Sequence, residues 1–413
     1  MNNLLIPIFS RREGTLPAIV ISLLATMPAT GQAAEWKIDP TIRLRAGYND
    51  NIRLTTRNEQ SSSEITFSPG AVFSVETPRS GLSGDLRFTI RRFLDESNLN
   101  DNNVRLGIDS FHRMERSEVG LGLDLIRDTT LDSQLEETGV VFGRVNRFLK
   151  RASPRWSYNL SERTRLDTNY SFTDVSYAKS SSGFVDYTSH NARLSVNRVV
   201  NERLFATATL GSTLTNNDND VQSTYSYLQG GASYQFSEAS SASLFVGLRR
   251  TGSEFKRRVP IFAGQRLIGF SPVSSKVENS SSGSVFNGTL SKQFERGSTA
   301  LTLSRDVSNT VSGILFEVTR LTWKNSYRFS ETLTGAFDLS LYRSTDDSDV
   351  AGGQDRKYYD LNPRISWRFA RFWSLSASYR YRNQTFDSSN DDATQNVANL
   401  TLTYHWPRIA VSR

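Results

Sequence analysis

The chain has 413 residues, with 49 Lys and Arg against 42 Asp and Glu for a formal net charge of +7, three histidines and no cysteine. The lack of cysteine excludes a disulfide framework, thiol catalysis and thiolate metal sites. The mean hydropathy of −0.44 excludes a bundle of membrane-spanning helices, each of which needs ~20 consecutive apolar residues.

At the N-terminus Arg11 and Arg12 precede an apolar run from Leu16 to Met27, and small residues follow at Ala29, Gly31, Ala33 and Ala34. This is the pattern of a cleaved secretory signal peptide over residues 1–33, leaving 34–413 as one mature domain. The run is short of the ~20 residues of a spanning anchor.

From Trp36 the chain falls into segments in which every second residue is apolar. Ile38, Ile42, Leu44 and Ala46 alternate with Lys37, Asp39, Arg43 and Arg45. Leu82, Leu86, Phe88 and Ile90 alternate with Asp85, Arg87 and Arg91, and Val104, Leu106 and Ile108 with Arg105 and Asp109. Phe142 to Tyr158 is less regular, and Pro154, which has no N–H to give a ladder, predicts a bulge or strand end. The pattern is clearest from Tyr358 to Trp406, where Leu361, Ile365 and Trp367 alternate with Asp360, Arg364 and Arg368, then Leu375, Tyr379 and Tyr381 with Ser378, Arg380 and Arg382. Period 2 marks strands with one apolar and one polar face. Their length suits the roughly 9 to 11 residues needed to cross a bilayer at a tilt.

Two kinds of connection alternate. Short polar turns include 77–80, 161–163, 237–240 and 330–332; loops rich in Asn, Asp, Ser and Gly include 49–62, 95–101, 128–138, 252–282 and 344–355. Short turns on one rim and long loops on the other are the asymmetry of an outer-membrane barrel. The count of connections predicts an all-β, antiparallel up-and-down transmembrane β-barrel of about 18 strands, with 16 as the alternative. Trp36, Trp156, Phe236, Phe329, Trp373 and Trp406 near segment ends fit an interfacial aromatic girdle. A propeller or solenoid would show a fixed repeat signature, and none is visible.

If the apolar face meets lipid, the polar face lines a lumen. The basic residues assigned there are Arg43, Arg45, Arg87, Arg91, Arg105, Arg320, Lys324, Arg328, Arg364, Arg368, Arg380 and Arg382, and they outnumber the acids on that face. A cation-rich wall favours anions; the same charges can also brace the wall through cross-strand pairs. Lys256, Arg257, Arg258 and Arg266, on the longest connection, suit a loop folded inward as a constriction or, equally, an external loop. His112, His190 and His405 are scattered, with no metal spacing and no nucleophile motif, so no enzyme, cofactor or metal is expected. Basic residues spread along strands argue against nucleic acid as a partner.

Trp36-Lys37-Ile38 through Gly47-Tyr48-Asn49-Asp50-Asn51-Ile52, and Pro154-Arg155-Trp156-Ser157-Tyr158 through Thr164, resemble segments of the outer-membrane β-barrel porin-like family associated with exopolysaccharide (exosortase-linked) gene clusters. The resemblance implies a Gram-negative outer-membrane conduit for exopolysaccharide export or assembly. It implies outer-membrane lipid, acidic polysaccharide and periplasmic polysaccharide-export components as partners, and carries over no catalytic residue. Alternatives are a general diffusion porin for small anions and a structural or adhesive barrel.

Overall fold

The computed structural model describes residues 35–131, 144–178, 184–263, 266–309, 315–346, 355–387 and 391–412, with side chains left out at 255–263, 266–279, 308–309, 315–316, 346 and 412. Residues 1–33, where a signal peptide is expected, lie outside the described residues. The first nine strands are β1 (Glu35–Asn49), β2 (Ser62–Glu76), β3 (Ser80–Phe93), β4 (Asp101–Arg113), β5 (Ser117–Thr129), β6 (Asn146–Ser161), β7 (Thr164–Tyr177), β8 (Tyr187–Val199) and β9 (Leu204–Asn217). They are followed by β10 (Gln222–Ser237), β11 (Ser240–Ala263), β12 (Arg266–Phe294), β13 (Gly297–Asn309), β14 (Leu315–Arg328), β15 (Leu333–Asp346), β16 (Arg356–Ala370), β17 (Trp373–Phe386), β18 (Asp392–His405) and the short β19 (Ile409–Ser412).

Each strand from β1 to β18 pairs antiparallel with its sequence neighbours, and β1 pairs with β18, so the sheet closes on itself. Closure pairs the barrel wall all the way round and removes its edges, which is what allows a β-structure to sit in hydrocarbon. The expected 18-stranded up-and-down barrel is the fold. The turns at 77–79, 162–163, 238–239 and 371–372 are short, and the opposite rim carries the long loops.

The register separates the two faces. Leu44 faces Phe67 and Leu402, Leu106 faces Leu86 and Leu125, and Leu228 faces Leu248 and Leu210. The first and last rows are largely exposed, with Leu248 at 74% and Leu228 at 61%, and the Leu106 row is half-buried. So much apolar surface on the outside of a closed barrel is a lipid-facing surface, as in outer-membrane barrels.

At the seam, β18 gives way to β19 through Pro407. Thr41 faces His405 but Ile38 faces Ile409, so the C-terminal side carries one extra residue. The bulge lets the chain pass Pro407, and the Trp406 N–H still reaches the Pro40 carbonyl at 3.0 Å. Arg408 then donates to both oxygens of Asp39, at 2.7 and 2.9 Å.

Two expectations are corrected. Pro154 neither ends its strand nor shifts register: it faces Leu121 on β5, while pairing to β7 lapses between Ala152 and Arg155 and resumes in phase. Pro69 and Pro363 behave alike, each opening a two-residue gap on one side only. The missing N–H therefore costs a local ladder bond and nothing more. The 252–282 segment is not a loop: β11 and β12 continue through it as a paired hairpin, from Gly252 opposite Ser280 to Ala263 opposite Arg266. Its chain alternates well enough with itself to go on pairing after the neighbouring strands have ended.

Candidate functional site: an arginine cavity under inward-folded loops

Three connections on the long-loop rim turn into the barrel. Ile52 and Leu54 from the β1–β2 loop, Leu99 from a short 3-10 turn (Ser97–Leu99) and Leu131 beyond β5 pack with Phe93, Tyr342, Tyr358 and Ala393 in one buried cluster. Phe93 ends β3, whereas Tyr342 and Tyr358 stand on β15 and β16, stacked with centroids 4.5 Å apart. Strands so far apart around a closed barrel can share a cluster only across the lumen, so these apolar residues form an internal bridge over the β15-to-β5 arc of the mouth.

The bridge is pinned by a buried amide network. Asn51, with no exposed surface, donates through Nδ2 to the carbonyls of Thr55 at 2.8 Å and Thr394 at 2.9 Å, and its Oδ1 accepts from the Thr55 N–H at 3.0 Å. Gln395 Nε2 donates to the Asn51 carbonyl at 2.5 Å. Leu54 adopts a left-handed backbone with φ of 50°, unfavourable for a branched side chain and held by its burial in the cluster.

Beneath the bridge lies a cavity of about 180 Å³ whose polar lining is Arg45, Glu64, Arg91, Arg380, Arg382, Asn49, Gln395 and Asn399, roofed by Ile52, Phe93 and Leu131. Asp360 holds two of the guanidiniums, accepting from Arg380 at 3.0 Å and Arg382 at 3.1 Å. Arg382 also donates to Gln395 Oε1 at 3.1 Å, which links the cavity wall to the bridge. On the other wall Glu64 meets Arg45 at 2.8 Å and Arg91 at 3.9 Å, and Arg91 meets Asp101 at 3.8 Å. Four guanidiniums thus meet three carboxylates, Glu64 in the cavity lining and Asp360 and Asp101 beside it, which leaves an excess of one positive charge. Held in fixed geometry by these partners, the excess positive charge favours the approach of a carboxylate or phosphate.

The other basic residues of the polar face are distributed along the barrel. Arg87 stands opposite Arg105, which contacts Asp85 at 3.7 Å, and Arg43 stands opposite Ser68 and Thr403. Arg320 lies over the Tyr342 ring at 4.9 Å, Lys324 is opposite Asp338, and Arg364 is opposite Ala336 and Ser378. Arg328 and Arg368 are at the short-turn rim, where Arg368 donates to the Glu331 carbonyl at 2.8 Å. The side chains of Lys256, Arg257, Arg258 and Arg266 lie outside those described; their backbone belongs to the β11–β12 hairpin.

Sequence reasoning missed Ile52, Leu54, Leu99 and Leu131. The available signal was an apolar residue, or a pair of them, inside an otherwise polar loop. Among the described residues there is no group of three or more His, Asp or Glu placed to hold a metal. His112 shares a hydrogen bond with Ser80 at 2.8 Å, and His190 with Tyr170 at 2.7 Å.

No family model and no curated protein matches the chain. Among solved structures, it is similar to Pseudomonas aeruginosa OccK2 (OpdF) in complex with glucuronate, at 15% identity and a TM-score of 0.47 over 90% of this chain and 98% of that one. It is similar to Pseudomonas aeruginosa OpdQ at 11% identity and 0.48, over 90% and 97%. For Acinetobacter baumannii OccAB3 the values are 11% and 0.46, over 91% and 99%. The likeness is one of general barrel shape.

Proposed function

We propose that this barrel is a passive outer-membrane diffusion channel for small anions, and that the cavity under the bridge is where permeating anions are selected. The observation that carries this is the convergence of Arg45, Arg91, Arg380 and Arg382 on one lumenal cavity, where they outnumber the carboxylates Glu64, Asp360 and Asp101 that hold them among the described residues. Arginine rings lower the barrier to anions and raise it to cations. The wider series from Arg43 through Arg87 and Arg105 would continue a positive potential along the lumen and raise the local anion concentration. The residues act by position and charge alone, so the reading is of a conduit and not an enzyme.

The test is the reversal potential of the purified barrel in planar bilayers under a potassium chloride gradient. Anion selectivity that falls in the Arg380→Gln/Arg382→Gln variant supports the reading, and equal selectivity in the two proteins overturns it. Export of an exopolysaccharide, which the family resemblance implies, would require Ile52, Leu54, Leu99 and Leu131 to leave the lumen together. Acidic polysaccharide added to the same bilayers decides between the two: a polymer-dependent block of the current favours the exporter, and undisturbed current favours the small-anion channel.

A further inference from the structure

The outer face of the barrel carries a row of cations at one level. Arg305 on β13 faces Thr319 on β14, Thr319 faces Arg343 on β15, Arg343 faces Lys357 on β16, and Lys357 faces Thr385 on β17. The row below it, one pleat toward the short-turn rim, is Leu303, Leu321, Leu341 and Tyr359, and the next is Leu301, Trp323, Leu339 and Leu361. Leu301, Leu303, Trp323 and Tyr359 are exposed on this surface. Arg343 and Lys357 share the parity of these lipid-facing side chains and their side chains are about half exposed, so these two cations point out of the barrel and not into the lumen. Hydrocarbon contact ends and charge begins within one step of the register.

The row is not explained by bracing. Arg343 and Lys357 stand directly opposite each other, an arrangement that is destabilising for like charges across a strand pair. Asp387 offsets part of it, at 3.5 Å from Arg343 and 3.3 Å from Lys357, yet the side chains of both remain about half exposed. Arg305 is paired with Glu317, but that carboxylate is shared with Arg249, which approaches it at 2.5 Å. The outward pair Arg343 and Lys357 therefore shares one carboxylate, Asp387, while Glu317 joins Arg305 to the buried Arg249 on the opposite parity. From Arg305 to Lys357 the row spans three strand spacings, roughly 14 Å, with two hydroxyls, Thr319 and Thr385, at the same level.

We infer that this strip binds the phosphorylated headgroup of an outer-leaflet lipid, with the acyl chains lying on the leucine rows below. The long-loop rim faces the cell exterior in a barrel of this kind, so the lipid in question is that of the outer leaflet. Charge complementarity selects phosphate: Arg343 can take two phosphate oxygens at once, Lys357 adds a point charge, and the threonines donate to the remaining oxygens. Anionic headgroups gather at basic membrane-surface clusters for the same electrostatic reason.

The experiment is native mass spectrometry of the full mature barrel in detergent, with bisphosphorylated lipid A as the probe beside the same lipid stripped of its phosphates. Retention of the phosphorylated form about tenfold above the stripped form, reduced to the level of the stripped form in Arg343→Gln/Lys357→Gln, is the expected result. Equal retention of the two lipids, or an unchanged preference in the variant, overturns the inference. Folding of the variant is checked by its heat-modifiable mobility on gels; if the double variant does not fold, Lys357→Gln alone is read in the same way. Excess inorganic phosphate should leave the lipid bound, because the acyl chains contribute on the leucine rows, and displacement by phosphate alone would point instead to a simple anion site. Reversal potentials should be unchanged in the variant, which keeps this outcome independent of the lumenal reading.

Discussion

Gln395 and Asn51 lie at opposite ends of the barrel's sequence, and the Gln395 amide donates to the Asn51 carbonyl at 2.5 Å with neither residue exposed. This contact ties the first loop to the last full strand inside the lumen, so the seam that closes the barrel and the bridge that narrows it are one structure.

Asn51→Ala should release the bridge. The substitution leaves the Thr55 and Thr394 carbonyls without their amide donor, a loss of ~1–3 kcal/mol for buried polar groups. Single-channel recordings should show larger conductance with more noise, and limited trypsin treatment should cut at Arg53 or Arg57 faster than in the wild type. A variant with wild-type conductance and cleavage would show that the amide network does not hold the loop.

Leu99→Ala tests the apolar half of the bridge. Leu99 is 1% exposed and packs in the cluster with Tyr342 and Tyr358, so truncation should cost about 2–5 kcal/mol of local docking energy. Because the wall strands pair independently of it, hydrogen exchange should accelerate in residues 50–61 and 94–100 while the strand amides stay protected. Uniform acceleration around the barrel would contradict this division.

Arg380→Gln/Arg382→Gln should lower the anion-to-cation permeability ratio by several-fold, since it removes two of the four guanidiniums around the cavity and leaves Asp360 without its partners. Arg328→Gln/Arg368→Gln, at the short-turn rim, should change that ratio much less. Reversal potentials of the two double variants under one salt gradient make the comparison, and the opposite ranking would move the selective site away from the cavity.

Removing residues 409–413 should lower the temperature at which the folded barrel loses its heat-modifiable gel mobility, because β19 supplies backbone pairing to β1 between Glu35 and Ile38. Arg408→Ala alone should leave that temperature unchanged: its bonds to Asp39 are solvent-exposed, and exposed ion pairs contribute little. A larger effect from the point substitution than from the truncation would reverse this assignment.

The alternation of Leu361, Ile365 and Trp367 with Asp360, Arg364 and Arg368 decided by itself that these residues form a two-faced strand, and the same pattern placed the turns and the strand count. Period 2 is a property of the backbone, and one face in lipid enforces it at every position. Even Pro154, where the sequence predicts a bulge or strand end, yields to that constraint, because pairing on its other side keeps the register. The 252–282 segment reads as a loop because its composition is mixed, and only the two-stranded pairing of β11 with β12 shows it to be a hairpin, with register shifts near its tip. What the tertiary structure alone decided is which residues meet across the lumen. Ile52 and Leu54 look like stray apolar residues in a polar loop until closure brings Tyr342 and Tyr358 opposite them. Arg45 and Arg382 are likewise two arginines among many until β1 and β18 pair. Such contacts depend on the curvature and closure of the whole sheet, a geometry that no local periodicity carries.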